Sequence, residues 1–217
     1  MLTNLKLGST TSSITLTPSD SNVASNFTLP RLSSADIPDY DPGEGGEHED
    51  YNDNPHAWGP VPGDTGSGAT NYGYLYNWPA ATAGETRTTK PEGSGDANYS
   101  ICPANWRMPT SHYNEDETEI YGDFPDLYRA FGGTGVHSAD GEADTAQWQP
   151  SGPFKGVLSG GWWGSFGGQD SDAHLWSSTA HASYANYAHY VHFYSDYVIP
   201  GGYVSRHGGL GVRCLLN

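Results

Sequence analysis

Short alternations of apolar and polar residues are densest near the C-terminal end, from Leu175-Trp176-Ser177-Ser178-Thr179 to Gly211-Val212-Arg213-Cys214. There Trp176, Ala188, Val191, Phe193, Val198, Gly211 and Val212 are spaced as the inner positions of short strands. A period of two turns Val191 and Phe193 inward and sends His192 and Tyr194 outward. Upstream, Tyr72 to Trp78 alternates as a strand, and Trp106-Arg107-Met108 reads as a second. Pro109-Thr110 opens a predicted helix over 110–121, with Glu115 and Asp116 early enough to favour its N-terminus. Phe124, Leu127, Tyr128 and Phe131 place one apolar face on a second helix over 124–132, which Gly132-Gly133 ends.

Residues 1–40 carry a different pattern. Leu5-Lys6-Leu7, Ile14-Thr15-Leu16-Thr17 and Asn26-Phe27-Thr28-Leu29-Pro30 are short alternating runs set apart by Ser, Thr, Asp and Asn. They predict a small β segment that either docks on the main domain or swaps between subunits. Residues 41–68 read as an acidic linker or long loop, because the run over 39–53 is broken by Gly and Pro and cannot bury a core. Its carboxylates offer ligands for a structural calcium, although no DxDxDG spacing is present. Trp58 stands ready to anchor the end of this segment. The main domain occupies 69–217, with an insertion loop over 82–98. Trp148, Phe154, Val157 and Leu158 lead into an aromatic stretch over 160–166 that reads as core. Abundant Gly, Pro and Tyr with few helix formers suit a loop-rich α+β fold.

The residues between the inner positions are chemically unusual. They include His181, Tyr184, Asn186, Tyr187, His189, Tyr190, His192, Tyr194, Ser195, Asp196, Tyr197, Tyr203, Ser205 and His207, and no Lys, Glu, Gln, Met or Trp occurs between Ser177 and Gly211. Solvated sheet faces are usually built from Lys, Glu and Thr. A face of Tyr, His, Asn and Ser is closer to a paratope, in which Tyr gives large contact area for little lost rotamer freedom and Ser and Asn adapt their hydrogen bonds.

Trp176-Ser177-Ser178-Thr179, Ala188, Val191-His192-Phe193, Arg206 and Gly211-Val212-Arg213-Cys214 resemble the C-terminal half of a C-type-lectin-fold family. Tyr72-Gly73-Tyr74-Leu75-Tyr76-Asn77-Trp78 and Cys102-Pro103-Ala104-Asn105-Trp106-Arg107-Met108-Pro109-Thr110 resemble its opening motifs. That family includes the Fibrobacter-type major paralogous domains and the variable proteins of diversity-generating retroelements, among which the archaeal viral proteins look most similar. The resemblance spans roughly 69–217 and implies a C-type-lectin-like domain with two helices and short twisted antiparallel sheets. It also implies that Thr110 caps the first helix, that the strand from Tyr72 pairs with a final strand near Leu215, and that Cys102 and Cys214 approach each other.

In the retroelement subset, adenines in surface codons are randomised. An AAC codon becomes NNC, which can encode Tyr, His, Asn, Ser, Asp, Gly, Ala, Pro or Ile, among others, but never Lys, Glu, Gln, Met or Trp. The omission between Ser177 and Gly211 is what such a process leaves. The resemblance therefore implies a variable region over about 177–210, in which His181, Tyr184, Asn186, His189, His192, Tyr194, Asp196, Tyr197, Tyr203 and His207 form one exposed ligand-binding face. The implied partner is a protein on a host or partner surface, and the implied location is a virion tail fibre or a cell surface. The Ser/Thr-rich N-terminal strands, ending in Thr-Leu-Pro, look like repeats of viral fibre shafts and imply a homo-oligomer through that segment. The competing reading is a structural fibre or surface-decoration protein with no defined ligand.

A formal net charge of −16, with nine Lys and Arg, argues against nucleic acid and anionic membrane as partners. No run of eighteen apolar residues predicts a membrane span, and Met1-Leu2-Thr3-Asn4 lacks the charged start and apolar run of a signal peptide. Catalysis is not expected. No Gly-x-Ser-x-Gly elbow is present, and neither cysteine has a flanking base. Formylglycine-generating enzymes share the fold but need a reactive cysteine pair, whereas Cys102 and Cys214 fall at structural positions. The Glu-Pro-Asn and Trp-Asn-Asp motifs of calcium-dependent sugar binding are missing. His189 and His192, three apart on a strand, point to opposite faces and make no helical zinc pair, so the histidines read as contact residues without a cofactor.

Overall fold

The computed structural model describes residues 4–7, 13–29, 57–58, 72–85, 89–91, 93–113, 118–134, 145–163 and 166–217. Thirteen strands lie among them: β1 (Ile14–Leu16), β2 (Phe27–Leu29), β3 (Ala57–Trp58), β4 (Leu75–Tyr76), β5 (Trp106–Arg107), β6 (His112–Tyr113), β7 (Ile120–Tyr121), β8 (Ser159–Trp162), β9 (Phe166–Gln169), β10 (Ala173–Ala180), β11 (Tyr187–Phe193), β12 (Val198–Ser205) and β13 (Leu215–Leu216). Two α-helices accompany them, α1 (Trp78–Ala81) and α2 (Asp123–Ala130). Few helices, many strands and a five-stranded sheet in the order β12-β11-β10-β8-β9 make the architecture α+β. Pairing in that sheet is antiparallel except between β10 and β8.

The sheet is covered on both faces. Cross-strand register puts Leu175 opposite Val191, and Ala173 and Val198 opposite Phe193. That face packs on Phe124 and Tyr128 of α2 and on Trp148. Phe131, Phe154 and Phe193 ring Trp148 at centroid distances of 4.9–5.6 Å. The other face carries Trp176 and Ala188 into a second core with Trp78, Tyr76, Met108 and Val212. The inner positions Trp176, Val191, Phe193, Val198 and Val212 are all buried. Leu5, Leu16, Val23 and Leu29 join the Trp78 core, and the Leu5 amide donates to the Val212 carbonyl at 2.8 Å. Within the single chain, the N-terminal β segment packs on the main domain.

The described residues of the helix predicted over 110–121, namely 110–113 and 118–121, are not helical. His112–Tyr113 and Ile120–Tyr121 pair as an antiparallel two-stranded sheet instead. Thr110 is not a helix N-cap; that position of α2 is Gly122, and Thr110 holds the helix start from outside: the Asp123 amide donates to its Oγ1 at 3.1 Å, and its own amide donates to Asp123 Oδ2 at 2.8 Å. Arg107 grips the same carboxylate with both terminal nitrogens, Nη1 and Nη2, at 2.5 and 2.9 Å. Gly122, at φ +117, makes the approach possible, because a Cβ there would lie 2.8 Å from Thr110 Oγ1. The second predicted helix appears as α2, which starts one residue earlier and ends two residues earlier than expected.

The strand expected over 72–78 is also revised. Only Leu75–Tyr76 is extended, and it pairs with Ala57–Trp58 and bridges to Leu210. The final strand, Leu215–Leu216, pairs with Trp106–Arg107. Trp78 starts α1 because Asn77 caps it, its side chain accepting from the Ala80 amide, and Pro79 fits the first turn. Part of the predicted insertion loop is ordered against the sheet: the Ala97 amide donates to Ser178 O, and the Ala180 amide to Gly95 O. Apart from Ala57–Trp58, the predicted linker and its calcium ligands lie outside the described residues.

Cys102 and Cys214 form a disulfide with a Cα–Cα distance of 5.8 Å across 112 positions of sequence. Both sit in the Trp78 core. A loop of that length stabilises the fold by about 5 kcal/mol in the chain-entropy account. Reduction should lower the unfolding free energy by that order, measured by denaturant titration with and without reductant. Two free thiols in the denatured, unreduced protein would contradict the bond.

Candidate functional site

At the β10–β11 turn, the face that covers α2 opens into a cleft of about 660 Å³ lined by His112, Tyr113, Tyr121, Thr179, His181 and His189. Strand register builds it, since His189 stands opposite Tyr203 and Tyr113 comes from β6. His181 and His189 stack at 5.1 Å, Tyr203 meets His181 edge-on at 4.3 Å, and Tyr113 leans on His189 at 5.3 Å. Tyr184 lies over His181 at 4.9 Å, and Tyr187 follows it at 5.6 Å. On the opposite wall Tyr121 stacks on His112 at 4.7 Å.

The polar atoms of the cleft are held firmly. His181 Nδ1 accepts the backbone amides of Ser183 and Tyr184 at 3.0 and 3.2 Å, so that nitrogen carries no proton. His189 Nδ1 lies 3.3 Å from Gly201 O, for which it is the donor. Burial, reinforced by the neighbouring His181, pushes the His189 ring down to about 4, so it is neutral at pH 7. Asp96 receives Thr179 Oγ1 at 2.6 Å and lies 3.1 Å from His112 Nε2. Burial opposes its ionisation, but these hydrogen bonds hold the carboxyl below its ordinary range. The site therefore offers rings and polar groups already fixed by partners, among them one ionised carboxylate, which suit recognition better than proton transfer.

The opposite face of the sheet holds a second cluster. His174 and His192 are cross-strand partners, and Asp172 lies two residues before His174 on the same side. Asp172 Oδ2 is 3.2 Å from His174 Nε2 and 3.5 Å from His192 Nε2. Trp163 meets His174 edge-on at 4.9 Å, Tyr194 leans on His192 at 4.0 Å, and Tyr197 stacks beside Tyr194 at 4.2 Å. Burial disfavours the Asp172 carboxylate, yet bonds from His174 and Ser171 bring it down to about 2. Burial and the neighbouring His174 push His192 down to about 3.

No family model, curated protein or solved structure gives a significant match to the chain.

The ten residues expected on one exposed face separate in the fold. Tyr184 and Asp196 are exposed, whereas Asn186, Tyr194, Tyr197, Tyr203 and His207 are half-buried. His181, His189 and His192 are only 2%, 2% and 6% exposed, which corrects their assignment as surface contacts. They also divide between the two sides: His181, Tyr184, His189 and Tyr203 surround the cleft, while His192, Tyr194 and Tyr197 adjoin Asp172. Asn186 and His207 flank Arg206, whose amide donates to Asn186 O. Alternation identified opposite sides correctly for Val191 and His192, but both sides are covered. His112, Tyr113 and Tyr121 were hidden inside the predicted helix. Asp172 and His174 carried a sequence signal, a carboxylate and an imidazole two apart on a strand, that gained meaning only with His192 in register.

His189 makes stability pH-dependent. Its folded pKa lies below the unfolded value near 6.5, so on acidification the unfolded chain takes up a proton that the fold refuses until about pH 4. Stability should fall between pH 6.5 and 4, with about 3 kcal/mol attributable to this ring. Denaturant unfolding at pH 7.5 and 4.5 checks it, since His189→Asn should lose correspondingly less than the wild type. Equal losses would mean that the ring is charged or solvated in the fold.

Proposed function

We propose that this chain is a ligand-binding protein of the C-type-lectin-like type, related to the variable proteins of diversity-generating retroelements. Its recognition surface is the tyrosine rim of the β10–β11 cleft. The observation that carries this reading is the exposure of Tyr184 and Tyr187, 53% and 37%, beside a histidine-lined cleft whose far wall ends in Tyr121, 52% exposed. Large aromatic side chains left in water around a concavity are the usual anchors of a protein interface. The adjoining positions, Ala182, Ser183 and Asn186, are small or adaptable, and all belong to the residue set that codon randomisation permits.

The ligand on this reading is a protein on a host or partner surface, and the module works as a receptor-binding element of a tail fibre or cell surface. The Cys102–Cys214 bond supports a place outside the reducing cytosol. The fixed hydrogen bonds on His181 and His189 support binding rather than catalysis. On this reading variation falls on accessible positions and spares His181 and His189, where a polar replacement would leave buried groups unpaired.

Three measurements test the reading. Alleles sampled from a population should vary at Tyr184, Asn186, Tyr187 and Asp196 while Trp176, Val191, Phe193, Val198 and Val212 stay fixed. Tyr184→Ala should change stability by less than about 0.5 kcal/mol, against about 3–5 kcal/mol for Trp176→Ala. The same Tyr184→Ala change should abolish binding to host-cell surfaces scored by flow cytometry. Variation spread evenly over inner and outer positions would sink the idea and favour a decoration protein.

A further inference from the structure

A second site lies on the other face of the sheet, independent of ligand recognition at the cleft. We propose that Asp172, His174 and His192 bind a single divalent ion of the late first-row type, Zn2+ being the natural occupant. Their three donor atoms, two imidazole nitrogens and one carboxylate oxygen, lie within 4.8 Å of one another. Donors about 2.0–2.2 Å from a tetrahedral ion are separated by about 3.3 Å. Asp172 Oδ2 already stands 3.2 and 3.5 Å from the two Nε2 atoms. Imidazole with a single carboxylate suits Zn2+, Co2+ or Ni2+, whereas Ca2+ and Mg2+ require six or more oxygens.

The second, independent observation is an unmet need at His192. Its side chain is 7% exposed, and Nε2 has no hydrogen-bond partner although it faces Asp172 at 3.5 Å. One carboxylate oxygen accepts from His174 and leaves the second imidazole unserved. An ion between them engages the facing donor atoms of all three side chains at once.

The carboxylate is held ready for this role. Ser171 Oγ donates to Oδ1 at 2.6 Å, which leaves Oδ2 for the ion, an outer bond of the kind that orients metal ligands. Gly168, at φ +73, makes room for it, because a Cβ there would fall 1.8 Å from Oδ1. The two imidazoles stack at 3.8 Å with their planes 25° apart. Ion binding turns one of them so that both lone pairs meet at one point. Three protein donors leave a coordination position for water or an incoming ligand atom.

The test uses the full chain, freed of metal by chelation and carrying no affinity tag. Zn2+ titration should give one equivalent per chain with a rise in melting temperature, and Co2+ should develop the visible bands of a tetrahedral site. His174→Gln and His192→Gln should each weaken binding at least tenfold, roughly the least that losing even an outer partner costs. Imidazole 15N shifts in the unmodified protein give an answer that does not depend on how the variants fold: His174 and His192 should move on titration and His189 should not. No binding in the micromolar range overturns the proposal. So does binding retained in both variants, or shifts confined to other histidines.

Discussion

Every one of the eight residues of β10 is buried, and the rest of the fold follows from that constraint. A strand in the middle of a sheet with no exposed face must have both sides covered and every polar side chain satisfied from within. Ser177 Oγ donates to His189 O at 2.9 Å, Ser178 Oγ to Pro109 O at 3.3 Å, and Thr179 Oγ1 to Asp96 at 2.6 Å. Each of these bonds fixes a different distant segment. Where the register with β11 shifts between Trp176 and Ala180, the strand takes loop residues as partners: Ser178 binds the Pro109 and Ala97 segments through its backbone. The short strands and long loops of this chain are therefore ordered by what a buried strand needs.

Arg206 extends the same logic to a charge. Fully buried, its guanidinium lies 4.4 Å over the Trp78 ring, while Nε donates to Tyr187 O and an Nη atom to Lys90 O. Trp78 in turn donates from its indole to Ser177 O and from its backbone to Arg206 O. A guanidinium stacked on an indole with carbonyls at its edge is one of the few ways to keep a cation in a protein core. Helix α1, the start of β11 and the loop before β5 meet at this one side chain, close to the turn that carries Tyr184.

What could be read from the sequence followed a simple physical line. Side alternation is local, so Val191 and Phe193 against His192 came out correctly, and so did the apolar face of Phe124 and Tyr128. Coverage is not local. Nothing near His181, His189 or His192 reveals that β6 and Trp163 close over the two faces. Capping signals are ambiguous in the same way: Thr110 had the chemistry of a cap, but the helix it holds from outside lies thirteen residues on, reached through a hairpin. The Asp172–His174–His192 grouping depends on register, which alternation leaves undefined.

The two turns that bracket β11 have a consequence for how such a protein could change. Tyr184 and Asp196 sit beyond opposite ends of a seven-residue strand, which separates them by about 23 Å. The two turns rest on different partners: one leans on His181, while the other is tied down by Thr145 and Gln149. Substitutions that far apart add in free energy to within a few tenths of a kcal/mol. Variants selected at the two turns can therefore be combined without retesting the fold, and the number of usable sequences grows as the product of two small repertoires.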